Sequence, residues 1–474
     1  MKPDTIKTPG MWSAIKDPQF SEVKDFIESD DFDSAYTIIN KKLEKDPFSI
    51  PWTNLMIDAQ YKIGGILSFI KEMQRRGKAE EKPEFLFRAA LGCLEVGQDK
   101  KALEYLKNLI KSRDNIFSPW FVIGSINVKR GKPDEALEAL KKAQSIDPTN
   151  ADSYWLAALA HLASGNMEEA MAESEKSLEM EPDNSNALWT KGIILLRNGK
   201  VEEAQEVCEK AVSVDPVNSF AFYVLGTVHY RNAKIAEAEE CFLKAVALDP
   251  KNSDAHYYLS ALYLELKMLD KALSHAEFSV KIDSSNPEAH FMYALALMEL
   301  RQLDDAVNQF RKAISLDDKR AEYHFHLGEL YMLLTLTGKA EKAYQEAIRL
   351  NENYAQPHFS LSFVYRLKAN MDEAIAEVKK AIALDPDNAL YHRALGAILF
   401  DSGLFREAKP SYDRALELEP ENAEIHANLG EYFLITGEMK QSLREFEKSM
   451  ELDPSNHIAK AKIERIQKFY AEES

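Results

Sequence analysis

Apolar residues recur along this chain at helical spacing, in short runs separated by turn residues. From residue 83 onward the runs come in pairs. The first of a pair is rich in aromatic and aliphatic residues, as in Ser219-Phe-Ala-Phe-Tyr-Val-Leu-Gly-Thr-Val-His-Tyr230. The second is amphipathic with a charged outer face, as in Glu202-Glu-Ala-Gln-Glu-Val-Cys-Glu-Lys-Ala211. Each pair therefore predicts two α-helices. Glycines at Gly97, Gly131, Gly199, Gly403 and Gly437 suit the turn between them. Asp-Pro or Glu-Pro ends the second helix, because proline cannot continue one.

The spacing of those prolines organises the whole chain. Pro148, Pro182, Pro216 and Pro250 are 34 residues apart, Ser284, Asp318 and Glu352 keep the phase, and Pro386, Pro420 and Pro454 resume it. With that mark at position 32, units of 34 residues begin at Pro83 and Phe117 and continue to Ala423. Position 8 is Gly, Ala or Ser in every unit (Gly124, Ala158, Gly192, Gly226, Ser260). Position 20 is Ala in all but the last, which has Ser442. Position 27 is small except at Leu109. Small residues at matched points let two helix backbones approach closely.

A 34-residue unit with small residues at 8, 20 and 27 and proline at 32 resembles the tetratricopeptide repeat (TPR). The resemblance covers residues 83–456 as eleven units. It implies an all-α fold, a right-handed superhelical solenoid of stacked antiparallel helix pairs, with first helices lining a concave surface. Upstream, Phe32 to Pro47 resembles a second helix and Trp52 to about Lys82 another pair, so two diverged helix pairs are expected over 16–82, after an N-terminal extension over 1–15. Residues 457–474 read as a charged amphipathic helix that caps the stack. Pro410 lies inside a second helix and is expected to bend or fray it.

Charge and composition narrow the class. Lys and Arg number 59 against 77 Asp and Glu, a net charge of −18, which argues against a surface that coats nucleic acid. No apolar run is long enough to span a membrane, and the first ten residues carry no apolar signal core. The three cysteines, Cys93, Cys208 and Cys241, lack metal-type spacing and read as buried, inert thiols. A cytoplasmic setting is expected.

Chemistry is scarce. Six histidines, His256, His290, His324, His358, His392 and His426, share position 4, but equivalent points on neighbouring helices are about 8–10 Å apart. Two ligands of one ion must nearly touch, so these read as packing residues, like Trp120 and Leu188 in other units. Paired carboxylates such as Glu168-Glu169 sit at helix starts, where the helix dipole favours them. No phosphate loop or nucleophile elbow appears. No catalytic residue, metal or cofactor is expected.

One constellation stands apart. Position 5 is aromatic in nine consecutive units: Phe87, Phe121, Trp155, Trp189, Tyr223, Tyr257, Phe291, Phe325 and Phe359. The resemblance implies that positions 2, 5, 9, 12 and 13 face the concave groove. Positions 9 and 12 are often apolar (Leu159, Ile193, Leu295, Met298, Phe363), and position 2 is often acidic, including Asp254, Glu288 and Glu322. These residues suggest an aromatic floor with an acidic rim, suited to an apolar or amphipathic partner segment carrying basic residues. The alternative is that the aromatics pack between repeats. The residues that the family uses to clamp acidic chaperone tails, and the asparagine ladder of its O-linked N-acetylglucosamine transferase arm, are missing from the matching positions. The expected function is a non-catalytic protein-binding scaffold. A regulatory or targeting subunit of a separate enzyme, or a self-associating structural protein, are the alternatives.

Overall fold

A computed structural model describes residues 18–79 and 81–473; the expected extension over 1–15 lies outside the described residues. Among the described residues there are 27 α-helices and no strand, so the chain is all-α. None of the helices is long and apolar enough to cross a membrane. Two compact units divide the chain, Met1–Asp283 and Ser284–Ser474.

The first unit opens with Pro18–Glu28, Phe32–Lys45, Ile50–Lys62 and Ile66–Ala79. Pro18–Glu28 supplies a first helix ahead of the one expected from Phe32. From Pro83 each repeat folds into a first helix of 13 residues and a second of 14, ending in this unit with Ser253–Glu265 and Leu269–Ile282. The second unit repeats the pattern from Pro287–Glu299 and Leu303–Leu316 to Ala423–Ile435 and Met439–Leu452. Within each unit a first helix packs on its own second helix, and that second helix packs on the next first helix. His457–Glu473 closes the second unit, burying Ala459 and Ile466 beside Phe446. It covers the last apolar face.

The small residue at position 8 has a specific reason. A Cβ on Gly226 would lie 2.7 Å from Phe242 Cδ1, one on Gly328 2.5 Å from Tyr344, and one on Gly396 2.6 Å from Tyr412. Each of those partners is position 24 of the same repeat. Where position 24 is small, as at Ser174 or Ala276, position 8 carries a side chain, Ala158 or Ser260. The pairing is a tendency, since Ala90 and Ala294 stand at position 8 where position 24 is Leu106 and Phe310.

Asparagine at position 34 does two jobs. Asn218 Oδ1 accepts from the backbone N–H groups of Phe220 and Ala221, capping the first helix of the next repeat, while its Nδ2 donates to Ser185 Oγ and Asn186 Oδ1 on the first helix of its own. Asn184 likewise caps Ala187 and donates to Asp152, and Asn252 caps Ala255 and donates to Ser219. Cap and inter-repeat tie are one residue.

Position 15 takes a positive φ in all eleven units, by Gly in six and by Ala233, Lys267, Arg301, Thr335 and Ala369 in the rest. Contrary to the expectation from sequence, Pro410 does not fray its helix: Phe405–Leu418 keeps its full 14 residues. The ring is exposed, so the one carbonyl deprived of a partner faces water. Cys93 and Cys208 are buried and Cys241 half-buried. Burial pushes the Cys208 thiol up to about 12 and Cys241 to about 11, and raises Cys93 as well.

Two outcomes follow. Thr335 is exposed, β-branched and at φ 57°, so Thr335→Gly relieves a strained turn and is expected to stabilise the chain by up to about 1 kcal/mol. An unchanged or lower denaturation midpoint contradicts this. In the native protein at pH 8, a thiol reagent should modify Cys241 roughly a hundredfold more slowly than free cysteine, with Cys93 and Cys208 slower still. A rapidly labelled thiol shows that one of these sites is open and activated.

Candidate protein-interaction surface

The aromatic row at position 5 is not uniform. Phe87, Phe121, Trp155, Trp189 and Tyr223, all in the first unit, are buried. Rings among them join successive repeats: Trp155 stands edge-on to Trp189 at 6.3 Å, Trp189 stacks on Phe220 at 5.6 Å, and Tyr223 meets Tyr258 at 5.8 Å. Trp155 Nε1 donates to Thr190 Oγ1 at 3.0 Å, and Trp189 Nε1 to Asn186 Oδ1 at 3.1 Å. For Phe87, Trp155, Trp189 and Tyr223 the expected open floor is corrected to packing between helix pairs, and Phe121 is buried beside Phe117 of its own helix.

Tyr257 at the end of the first unit is half-buried against Tyr258, with Asp254 one turn before it. In the second unit Phe291, Phe325 and Phe359 are also half-buried. Phe291 lies 4.9 Å from Tyr323, Phe325 5.3 Å from Tyr354, and Phe359 5.0 Å from Tyr391. Phe291 and Phe359 meet the next repeat, Phe325 meets Tyr354 of its own, and each ring keeps part of its surface in solvent.

The acidic residues at position 2 also differ. Asp152 is half-buried, accepts from Asn184, and is pushed up to about 6 by burial. Glu288 is paired with Arg320 at 3.3 Å. Glu322 is exposed.

The most exposed apolar side chains near this row are Leu333 at 46%, Phe363 at 47% and Leu367 at 56%. Phe359, Phe363 and Leu367 follow at four-residue intervals on Ala355–Leu367 and share one helix face. Leu333 belongs to the preceding first helix, Ala321–Leu333. The two helices are tied by Glu329, whose Oε1 accepts from Ser360 Oγ at 2.9 Å and from the Tyr344 hydroxyl. Tyr344 is in turn the ring seated on Gly328. Arg366, beside Leu367, donates to Asp401 of the next repeat at 2.7 Å. These contacts hold the exposed residues on rigid helices, an arrangement suited to a docking surface.

Position 13 separates the two units. In the first it includes Lys129, Arg197 and Arg231 beside Glu95, Ala163 and Glu265, and Arg197 and Arg231 donate to the backbone carbonyls of Leu162 and Leu196. In the second it includes Leu333, Leu367 and Ile435. Leu333 and Leu367 are absent from the residues expected to line the surface, although an apolar residue at a groove-facing position was the available signal.

The position-4 histidines are held individually. In four repeats the Nδ1 side meets position 23 of the same repeat, as in His290 with Gln309 at 2.7 Å and His358 with Glu377 at 2.6 Å. Among the described residues no group of three or more His, Cys, Asp or Glu side chains is placed to hold a metal ion.

Comparison with known proteins agrees with this architecture. Residues 159–292 match the Psidin N-terminal TPR repeats region, residues 128–188, 321–354 and 393–457 match tetratricopeptide repeat families, and 294–334 and 364–403 match a further TPR repeat family. No curated protein matches the sequence. Among solved structures, the APC/C hetero-tetramer Cut9–Hcn1 is similar at 15% identity, over 94% of this chain and 95% of that one, with a TM-score of 0.55. The human IFIT1 dimer with m7Gppp-AAAA is 18% identical over 82% of this chain and 94% of that one, with a TM-score of 0.47. The 34-residue helix pairs, their glycine-to-position-24 contacts and the family matches spread over residues 128–457 together show that the chain belongs to the tetratricopeptide repeat family.

Proposed function

We propose that this chain is a non-catalytic scaffold that holds a partner protein segment on the first helices of its second unit. The observation that carries the reading is the exposed apolar strip Leu333, Phe363 and Leu367, adjoining the half-buried Phe325 and Phe359. Rigid helices present side chains that water solvates poorly, beside the carboxylates of Glu322 and Glu329. Such a surface favours an amphipathic segment with apolar anchors and basic flanking residues. In the first unit five of the six position-5 aromatics are buried and position 13 is charged in five repeats and Ala163 in the other, so the apolar anchor site is assigned to the second.

Phe363→Ala combined with Leu367→Ala tests the assignment. Both side chains are exposed, so the melting temperature should stay within about a degree of wild type, while anchor residues of this kind commonly contribute 2 kcal/mol or more to binding. Quantitative capture from the cells of origin should therefore lose the partner by more than tenfold. Ala238→Leu, which overpacks a buried helix contact, should instead lower stability first. An unchanged set of captured partners with the double variant refutes the strip as the docking site.

A further inference from the structure

Position 4 and position 23 form one polar contact in several repeats, and its chemistry differs from repeat to repeat. In the last repeat of the first unit it joins two histidines. His256 Nε2–H donates to the Pro250 carbonyl at 3.3 Å, which leaves Nδ1 as the lone-pair nitrogen. That nitrogen lies 2.9 Å from His275 Nδ1, so His275 supplies the shared hydrogen. Phe278, itself about half exposed at 49%, stacks on His256 at 5.4 Å, and the buried Tyr263 stacks on His275 at 5.6 Å.

The charged and titratable groups around the pair offer it little help as a cation. Lys271, on the same helix as His275, sits over the Tyr263 ring at 4.9 Å and repels added charge. Glu239, from the helix Ile235–Leu248, accepts the Tyr263 hydroxyl at 2.6 Å. Asp249, in the turn before Ser253–Glu265, is the carboxylate that favours a charged His256. Glu277 pairs with Lys281.

The second unit contains the contrasting cases. His290 Nε2–H donates to the Ser284 carbonyl at 3.2 Å and its Nδ1 meets Gln309 at 2.7 Å. An amide can offer its NH2 to a neutral ring or its oxygen to a charged one, so this contact accepts either state. His426 lies between the Pro420 carbonyl at 3.0 Å and the Glu445 carboxylate at 2.6 Å. It has acceptors on both sides, and protonation completes both hydrogen bonds.

We propose that the His256–His275 contact is an acid-sensitive latch that loosens the helix pair Ser253–Glu265 and Leu269–Ile282, while the repeats at 287–320 and 423–456 stay closed. One added proton places a cation in a part-buried contact whose acceptors are the other ring and the Pro250 carbonyl, neither of them charged. A second sets two N–H donors face to face. Both rings are held below the ordinary value of 6.5, His256 chiefly by burial and His275, by burial and then by His256 and Lys271, down to about 4. The opened state, with ordinary pKa values, therefore takes up protons first. The stabilisation is complete above about pH 6.5 and is lost as pH falls toward 4.

Hydrogen exchange on the full chain tests this. Between pH 7.4 and 5.0, corrected for the pH dependence of exchange itself, protection across 253–282 should fall about 25-fold more than across 287–316, the factor that lowering one histidine from 6.5 to about 4 gives over this range. His275→Gln installs the His290–Gln309 pairing and should abolish that difference. Equal losses in both segments, or a difference that survives His275→Gln, overturn the latch. The wild-type chain supplies a measurement that does not depend on the variant folding. By NMR with labelled histidine, the His275 ring should remain neutral at pH 5.5, and a ring titrating near 6.5 overturns the proposal as well.

Discussion

The contact between position 8 of a first helix and position 24 of its second governs everything built on the repeat. Six glycines leave a backbone gap into which Leu140, Cys208, Phe242, Tyr344, Tyr412 and Phe446 fit, each so close that a Cβ would clash. Hydrophobic burial would draw any two amphipathic helices together, but this contact fixes how near and at what rotation they meet. Its consequences extend outward. Tyr344 seated on Gly328 delivers its hydroxyl to Glu329, and Glu329 then reaches Ser360 on the next first helix. A backbone gap thereby sets the spacing of Leu333 and Phe363.

Repeats that share a backbone divide their labour through side chains. The first unit spends its position-5 aromatics on packing, with Trp155 and Trp189 buried and hydrogen-bonded. The second unit leaves Phe291, Phe325 and Phe359 partly exposed and adds Leu333 and Leu367. At position 13 the first unit carries Arg197 and Arg231 among Glu95, Ala163 and Glu265, and the second carries Leu333, Leu367 and Ile435 beside Glu299 and Asp401. In this fold a binding surface is made by leaving packing incomplete on one helix face.

Much of the helix-pair architecture was legible from spacing. The 34-residue step of Pro148 through Pro454 marked the end of each second helix, and the small residues at 8 and 20 marked where helices touch. Pairings across the repeat were harder to read. That Gly226 faces Phe242, or that His426 faces Glu445, depends on offsets of 16 and 19 residues within a unit, which a single-helix pattern does not reveal. Asparagine at position 34 was visible in eight of the ten places from Asn150 to Asn456, yet its double role emerges only when both Oδ1 and Nδ2 are placed. Exposure of the aromatics was the least legible. Trp189 and Phe359 hold the same position, and whether solvent reaches them depends on the residue the next repeat brings against them.

A double-mutant cycle on Gly226 and Phe242 measures the governing contact directly. Gly226→Ala alone should overpack the pair and cost about 1–3 kcal/mol, and Phe242→Ala alone should open a cavity costing about 3–5 kcal/mol. Together they approximate the small-on-small pairing of Ala158 with Ser174, so the double variant should be more stable than the sum of the two losses predicts by at least about 1 kcal/mol. Losses that add to within about 0.5 kcal/mol would show that the two positions act independently. In that case close approach at position 8 does not set the geometry of the helix pair.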